Sequence, residues 1–188
     1  MASHYGNISK VDTTGASEET ARADGRSSSG VSASQEMAAS DLPYIDKHKD
    51  KIMSAANRHG VEPAVVAGII SRETRGGRGA GLDGGWGDHG NAYGLMQVDK
   101  RWHEPRGGWD SEEHISQGID VFKGSYSDIE GRHPSWSKEQ KLKGALSAYN
   151  MGAGSVDSYG GVDARTTGRD YANDVTARSQ YFKKHGYN

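Results

Sequence analysis

The distribution of apolar and polar positions along the chain predicts a mainly helical protein with one irregular stretch. From Asp41 onward, apolar residues recur every three or four positions, which is the spacing of one helical face. The members of this face are Leu42, Ile45, Ile52, Met53 and Ala56. We expect this helix to begin after Ser40, as N-cap, and to stop at Gly60.

A second helix is predicted to begin at Pro63, because proline suits the first turn of a helix. Residues 64–70 are apolar on every side of this helix. A helix without a polar face has to be covered all round, so we expect this one at the centre of the core.

Residues 76–110 interrupt the helical pattern with many glycines and three tryptophans. Within them NAYGLMQVD, residues 91–99, predicts a short strand, so we expect loops with a small sheet. The helix signals that follow are a capping box of Asp110 with Glu113, a second of Ser137 with Gln140, and a last helix from about Arg169 to His185 with Gly186 beyond it.

The first forty residues are rich in Ser, Thr, Gly and Ala and read as loop, with a short helix near Glu18 to Ala23. We find no internal repeat and no second boundary. The predicted fold is therefore α+β, predominantly α-helical, with one domain over residues 1–188 and a loop-rich segment 1–40 packed on it.

Composition narrows the classes of protein further. The 188 residues suffice for a real core, and the formal charge of -2 gives no general attraction to nucleic acid or anionic membranes. The absence of cysteine excludes disulfides and a thiolate nucleophile. The start MASHYGNISK lacks the apolar centre of a signal peptide, and no apolar run approaches a membrane span. Extracellular, lysosomal and cytoplasmic locations all stay open.

Glu73 is the first residue that could carry chemistry. It follows the apolar run 64–70 and falls in the last turn of the predicted helix. The negative end of the helix dipole and partial burial both favour the protonated carboxyl, which is the form a general acid needs. Arg72 and Arg75 would oppose this if they reached it. The alternative is a surface glutamate paired with a neighbouring arginine.

Asp88 and Asp99 lie in the irregular stretch, 15 and 26 residues beyond Glu73. An acid together with a carboxylate that holds water is the equipment of an inverting glycosidase. The alternative is that both aspartates only cap turns. Trp86, Tyr93, Trp102, Trp109 and Tyr149 could present flat faces to sugar rings, although such residues more often pack in cores.

Two other patterns do not indicate nucleotide or zinc binding. Gly85 to Gly90 matches G-x-G-x-x-G, but no β-branched strand precedes it and no helical pattern follows it. The sequence WHEP at 102–105 lacks the second histidine of a zinc site, and no serine nucleophile elbow is present. We therefore expect no metal and no cofactor.

Taken together, the segments of the chain resemble a goose-type (g-type) lysozyme over about Tyr5 to Tyr187, nearly the whole length. The matching segments are YGNISKVDTTGAS, GVSAS, VEPAVVAGIISRE, GGWGDHGNAYGLMQVDKR, HPSW, KGALSAYNMGAG and DYANDVTARSQYFKKHGY. The resemblance implies a lysozyme-like fold and hydrolysis of the β-1,4 bond between N-acetylmuramic acid and N-acetylglucosamine in peptidoglycan. Avian members carry cysteines and this chain has none, and in this feature it resembles the fish members.

The resemblance also implies roles for particular residues. Glu73, in the SRE segment, becomes the proton donor, while Asp88 and Asp99 position the attacking water with inversion at the anomeric carbon. The implied substrate contacts are Gln97, His103, Tyr149, Asn150 and Tyr171. Without cysteines, the N-terminal segment has to be held by packing and hydrogen bonds alone.

Two rival functions stay open on the sequence. A lytic transglycosylase shares the glutamate and the GLMQ and AYN segments but needs no water-holding carboxylate. A peptidoglycan-binding module would recognise walls without cleaving them. We expect a monomer that binds peptidoglycan and chitin-type oligosaccharides, and a bacterial periplasmic lysozyme inhibitor would be expected to plug the cleft.

Overall fold

The computed structural model describes residues 4–79 and 82–188, and their architecture is α+β and predominantly helical, as predicted. The helices within these ranges are α1 Glu18–Ala23, α2 Gly30–Ile45, α3 Lys49–His59, α4 Pro63–Thr74, α5 Glu112–Arg132, α6 Lys138–Met151 and α7 Tyr171–Lys184. The strands are β1 Trp86–Gly87, β2 Ala92–Tyr93 and β3 Val98–Asp99, paired antiparallel in the order β1-β2-β3. Short 3₁₀ turns lie at Ile8–Lys10, Asp46–His48, Asp88–Gly90, Ala153–Ser155 and Thr167–Arg169.

Helix α4 is central, as its apolar run predicted. Every residue from Pro63 to Ser71 is buried. The helix packs most extensively on α7 and also contacts α2 and α3. Gly68 makes the α4–α7 crossing close, because a Cβ built there would lie 2.0 Å from Oγ of Ser179. This packing fixes the end of α4, and with it Glu73, against the rest of the domain.

The N-terminal segment differs from its prediction. The prediction of a helix starting after Ser40 is wrong, because α2 begins at Gly30 and Ser40 lies inside it. The small residues in the first part of α2 suggested a loop, but Ala33, Met37 and Ala38 are fully buried. Burial of this weakly apolar face thus outweighs the loop-like composition. The chain then breaks at the turn Asp46–His48 before α3. The short helix α1 agrees with its prediction and is capped by Ser17.

Polar contacts join this segment to α7. The backbone N–H of Ser17 donates to Asp170 Oδ2 at 2.9 Å, and Ser34 Oγ donates to Asp174 Oδ1 at 2.7 Å. The side chain of Gln180 donates to the carbonyl of Val11 at 2.8 Å. These hydrogen bonds serve where a cysteine-containing chain could use crosslinks.

The later helix signals hold with one exception. The capping box of Ser137 and Gln140 is present, and α7 ends near the predicted residue. The box predicted for Asp110 with Glu113 is wrong: Ser111 is the N-cap of α5 and accepts from the N–H of His114. The predicted strand in NAYGLMQVD is two strands, because the chain turns at Gly94, where φ is +82°.

No helix within residues 4–79 and 82–188 is long and apolar enough to cross a membrane.

Candidate active site

A cleft of about 850 Å³ runs between the small sheet, α5 and the end of α6. A second hollow of about 530 Å³ continues from it along β1. Glu73, Asp88 and Gln97 line both hollows, so they stand where the two meet. A chain of linked sugars needs a long groove of this kind, with the reacting groups in its middle rather than at its end.

Glu73 lies at the floor of the cleft in the last turn of α4, where the sequence placed it. The helix ends directly afterwards, since Arg75 adopts a left-handed conformation with φ of 54°. Burial raises the pKa of Glu73 to about 7, and the nearby charge of Asp88 adds to this rise. The side chain therefore keeps its proton through the acidic range and up to neutral pH.

Tyr171, the first residue of α7, orients the carboxyl group of Glu73 through a hydrogen bond. Its Oη donates a hydrogen bond to Glu73 Oε2 at 2.8 Å, which opposes part of the rise in the pKa. Tyr171 is only 1% exposed, so it lies beneath the acid rather than on the cleft surface. The sugar contact expected of Tyr171 stays a prediction; in this structure its ring is buried and its hydroxyl donates to Glu73.

The arginines next to Glu73 bind other carboxylates. Arg72 Nη1 lies 3.0 Å from Asp170 Oδ1 and 2.7 Å from Asp174 Oδ2. Arg75 Nε lies 3.0 Å from Asp24 Oδ1. The alternative of a surface glutamate neutralised by a neighbouring arginine does not describe this side chain.

Asp88 and Asp99 reach the cleft from different parts of the sheet region. Asp88 follows β1 in the tight turn to Gly90 and has a φ of 50°, an uncommon conformation for a side-chain-bearing residue. Asp99 ends β3. Asp99 does cap its turn, since Oδ1 accepts from the N–H of Arg101 at 2.9 Å, but it lines the cleft as well. Hydrogen bonds from Arg101 hold the pKa of Asp99 below its usual range.

The other residues implied by the resemblance lie around the same cleft. Gln97, with φ of 51°, donates from Nε2 to the carbonyl of Gly94 at 2.9 Å. Tyr149 Oη donates to the carbonyl of Met96 at 2.6 Å, and Asn150 Oδ1 accepts from the N–H of Thr167 at 2.9 Å. These hydrogen bonds fix the side chains in place. His103 lines the cleft with its side chain exposed.

Part of the cleft wall was missed from the sequence. One face of α5 lines it, and this face consists of Gln117, Asp120, Val121, Gly124, Ser125 and Asp128. Their spacing of three and four marks one side of a helix, but a polar side usually faces open solvent. Arg101 and Arg106 were missed as well, while Trp102 lies on the wall with 79% of its surface exposed.

Within the described residues, no group of three or more His, Asp or Glu side chains is arranged to hold a metal ion. The segment Gly85 to Gly90, which matches a dinucleotide pattern, contains β1 and the turn that follows it, and this turn carries Asp88 into the cleft.

The sequence is similar to known proteins over nearly its whole length. The family model described as Lysozyme g matches residues 5–186. Lysozyme g of Casuarius casuarius is 49% identical over 183 residues, covering 97% of this chain and 98% of that protein. Among fish, lysozyme g of Cyprinus carpio is 46% identical over 187 residues, covering both chains fully, and that of Epinephelus coioides is 48% identical over 189 residues, covering 95% and 96%. These similarities extend across every element that lines the cleft.

Proposed function

The chain belongs to the lysozyme g family, and on that premise we propose that Glu73 is the general acid of an inverting hydrolase, with Asp88 and Asp99 holding the attacking water. As a member of this family it is a glycoside hydrolase, a muramidase that acts on peptidoglycan and serves in antibacterial defence. The observation that carries the proposed mechanism is the half-buried Glu73, which lines one cleft together with the carboxylates of Asp88 and Asp99.

Glu73 has the protonation state that the first step needs. Cleavage of a glycosidic bond requires a proton on the leaving oxygen as the bond to the anomeric carbon breaks. With a pKa of about 7, Glu73 holds that proton in acidic solution and is about half protonated near pH 7, and it is still acidic enough to release it. Tyr171 keeps the carboxyl oriented through the step by its hydrogen bond to Oε2.

Asp99 has the opposite state. Arg101 donates to both of its oxygens and holds its pKa below the usual range, so Asp99 is ionised where Glu73 is still protonated. An ionised carboxylate accepts a hydrogen bond from water and takes up the proton that the water loses as its oxygen bonds to the anomeric carbon. A water placed by Asp88 and Asp99 would attack the sugar from the face opposite Glu73, which inverts the anomeric centre.

Gln97, His103, Tyr149 and Asn150 are proposed as substrate contacts, because all four line the cleft beside Glu73. We propose that the chain acts as one domain and as a monomer, since the cleft has its acid and both water-holding groups within one copy. A bacterial inhibitor protein would have to fill this same cleft to block Glu73, so the substrate and such an inhibitor would compete.

Product analysis tests the proposal against a lytic transglycosylase. Digestion of purified peptidoglycan should release muramic ends as reducing sugars. Glu73→Gln should lower the rate of that release at least about a hundredfold. The matched control is Glu36→Gln, because Glu36 is exposed on α2 away from the cleft. It should release product like the unaltered protein. Anhydro muramic ends would identify a transglycosylase instead, and unchanged release by a folded Glu73→Gln variant would remove Glu73 from the mechanism.

A further inference from the structure

We propose that Arg101 is a positioning residue that ties Asp88 to Asp99, so that the two carboxylates are held where one water can contact both. This inference rests on the proposed function, in which these aspartates hold the attacking water. It adds to that function the residue that sets their relative position.

The guanidinium of Arg101 makes a bidentate contact with the carboxylate of Asp99. Its Nε lies 3.0 Å from Oδ1 and its Nη2 lies 2.6 Å from Oδ2. The backbone N–H of Arg101 donates to the same Oδ1 at 2.9 Å. A planar guanidinium bound in this way fixes the carboxylate in angle as well as distance, which a lysine ammonium does not do.

The same guanidinium nitrogen also faces the second carboxylate. Nη2 of Arg101 lies 3.9 Å from Oδ2 of Asp88. Asp88 sits in the turn after β1 and Asp99 at the end of β3, so these two residues come from separate strands of the sheet. Arg101 therefore links two pieces of backbone at the point where both carboxylates enter the cleft.

A cation is needed at this point on electrostatic grounds. Two carboxylates that share one water repel each other, and the repulsion favours protonation of one of them. A protonated aspartate accepts hydrogen bonds more weakly and could not take up the proton of the attacking water. Arg101 offsets the repulsion, and its hydrogen bonds are the largest cause of the low pKa of Asp99.

The other charged groups around the pair leave this role to Arg101. His103, on the same segment, also lowers the pKa of Asp99, but by less than Arg101 does. Glu73, from the end of α4, is the acid on which the charge of Asp88 acts. Across the cleft, Arg106 is paired with Asp120 of α5 at 3.4 Å, and Asp128 of the same helix lines that wall.

Arg101 can be altered without disturbing the core. Its side chain is 55% exposed, compared with 29% for Asp99 and 58% for Asp88. An exposed ion pair contributes little to folding, typically about 0–1 kcal/mol. A change in activity after substitution of Arg101 can therefore be separated from a change in stability.

The test is the pH dependence of kcat and KM for Arg101→Gln and Arg101→Lys on a soluble chitin oligomer. Arg101→Gln should lower kcat by about tenfold to a hundredfold, the scale of a misplaced reacting group, with little change in KM. Its acidic limb should move to higher pH, because Asp99 loses the cation that lowers its pKa. Arg101→Lys keeps the positive charge but not the bidentate guanidinium. Its acidic limb should therefore lie nearer that of the unaltered protein, while its kcat should lie between those of the unaltered protein and Arg101→Gln. The matched control Arg106→Gln, 54% exposed in the same cleft, should leave the acidic limb in place.

Three results would overturn the proposal. These are an unchanged kcat and acidic limb in Arg101→Gln, a rise in KM alone, which would make Arg101 a substrate contact, or the same limb shift in Arg106→Gln. If Arg101→Gln does not fold, Arg101→Lys decides alone, and an unchanged kcat in it would refute the positioning role. Failure here is distinct from failure of the proposed function, which would appear as full hydrolysis by the double variant Asp88→Asn with Asp99→Asn.

Discussion

Tyr171 Oη donates a hydrogen bond of 2.8 Å to Glu73 Oε2, so the acid of the cleft is held by a buried tyrosine from the last helix. Arg72 stands behind this pair, with its guanidinium carbon 5.1 Å from the centre of the Tyr171 ring. Both influences favour the ionised carboxyl, while burial favours the protonated one more strongly. The reactivity of Glu73 follows from this balance.

The pH profile of lysis should show an alkaline limb set by Glu73. Because a general acid must be protonated, activity should fall as the pH rises through about 7, the pKa of Glu73. On the acidic side, activity should persist below the usual aspartate range, because the pKa of Asp99 is lowered. Values of kcat/KM obtained from initial rates between pH 3 and 9 would test both limbs. An alkaline limb near the ordinary glutamate pKa would contradict the burial argument.

Tyr171→Phe should move the alkaline limb to higher pH. The tyrosine hydroxyl stabilises the ionised form of Glu73, so its removal raises the pKa of the acid further. The matched control is Tyr181→Phe on the same helix, where the ring stacks on His185 and lies outside the cleft. A shift to lower pH in Tyr171→Phe, or an equal shift in the control, would show that the hydrogen bond does not tune Glu73.

The free energy of unfolding should fall as the pH rises and Glu73 loses its proton. Its pKa is raised from 4.5 to about 7 in the fold, so the folded chain keeps a proton that the unfolded chain releases. Stability from this group is full below about pH 4.5 and is lost as the pH rises through 7. Allowing for partial solvent access, the loss should be roughly 2 kcal/mol. Urea unfolding of the unaltered protein and Glu73→Gln at pH 4 and pH 8 measures it. If the free energies of unfolding of the two proteins differed by the same amount at pH 4 and at pH 8, the raised pKa of Glu73 would be refuted.

The buried ion network behind the site should matter more for folding than any exposed pair. Asp174 is fully buried between Arg72 and Arg178, whose charges outweigh burial and keep its pKa below the usual range. Asp174→Ala leaves both arginines without this partner and should cost about 3–5 kcal/mol of unfolding free energy. Asp157→Ala, which removes an exposed pair with Arg165, should cost less than about 1 kcal/mol. Urea unfolding curves compare the two, and equal costs would refute the structural role.

How far the sequence predicted this structure depended on the strength of each pattern. The run at 64–70 is apolar on all sides, so it predicted both the central helix α4 and the place of Glu73 at its end. The part of helix α2 before Ser40 was mistaken for loop because its buried residues are alanine, serine and one methionine. Such residues carry a weak hydrophobic signal, and only the packing against α7 shows that they are inside.

The site was predicted in part for the same physical reason. Glu73, Asp88 and Asp99 come from segments whose residue types suggest chemistry, and the cleft gathers all three. The supporting residues could not be found in this way. Tyr171 lies 98 positions beyond Glu73, and the pairing of Arg101 with two aspartates depends on the turn geometry at Asp88 and Asp99. Contacts between distant segments leave no periodic trace in a single sequence.

The stereochemistry of the first product tests the central claim most directly, because it reports the face from which water attacks. Proton NMR during hydrolysis of a chitin oligomer in fresh enzyme solution would show which anomer forms before mutarotation. Attack by a water held at Asp88 and Asp99, opposite the proton of Glu73, predicts that the α anomer appears first. If the β anomer appeared first, the reaction would retain configuration, and the roles proposed for both aspartates would be wrong.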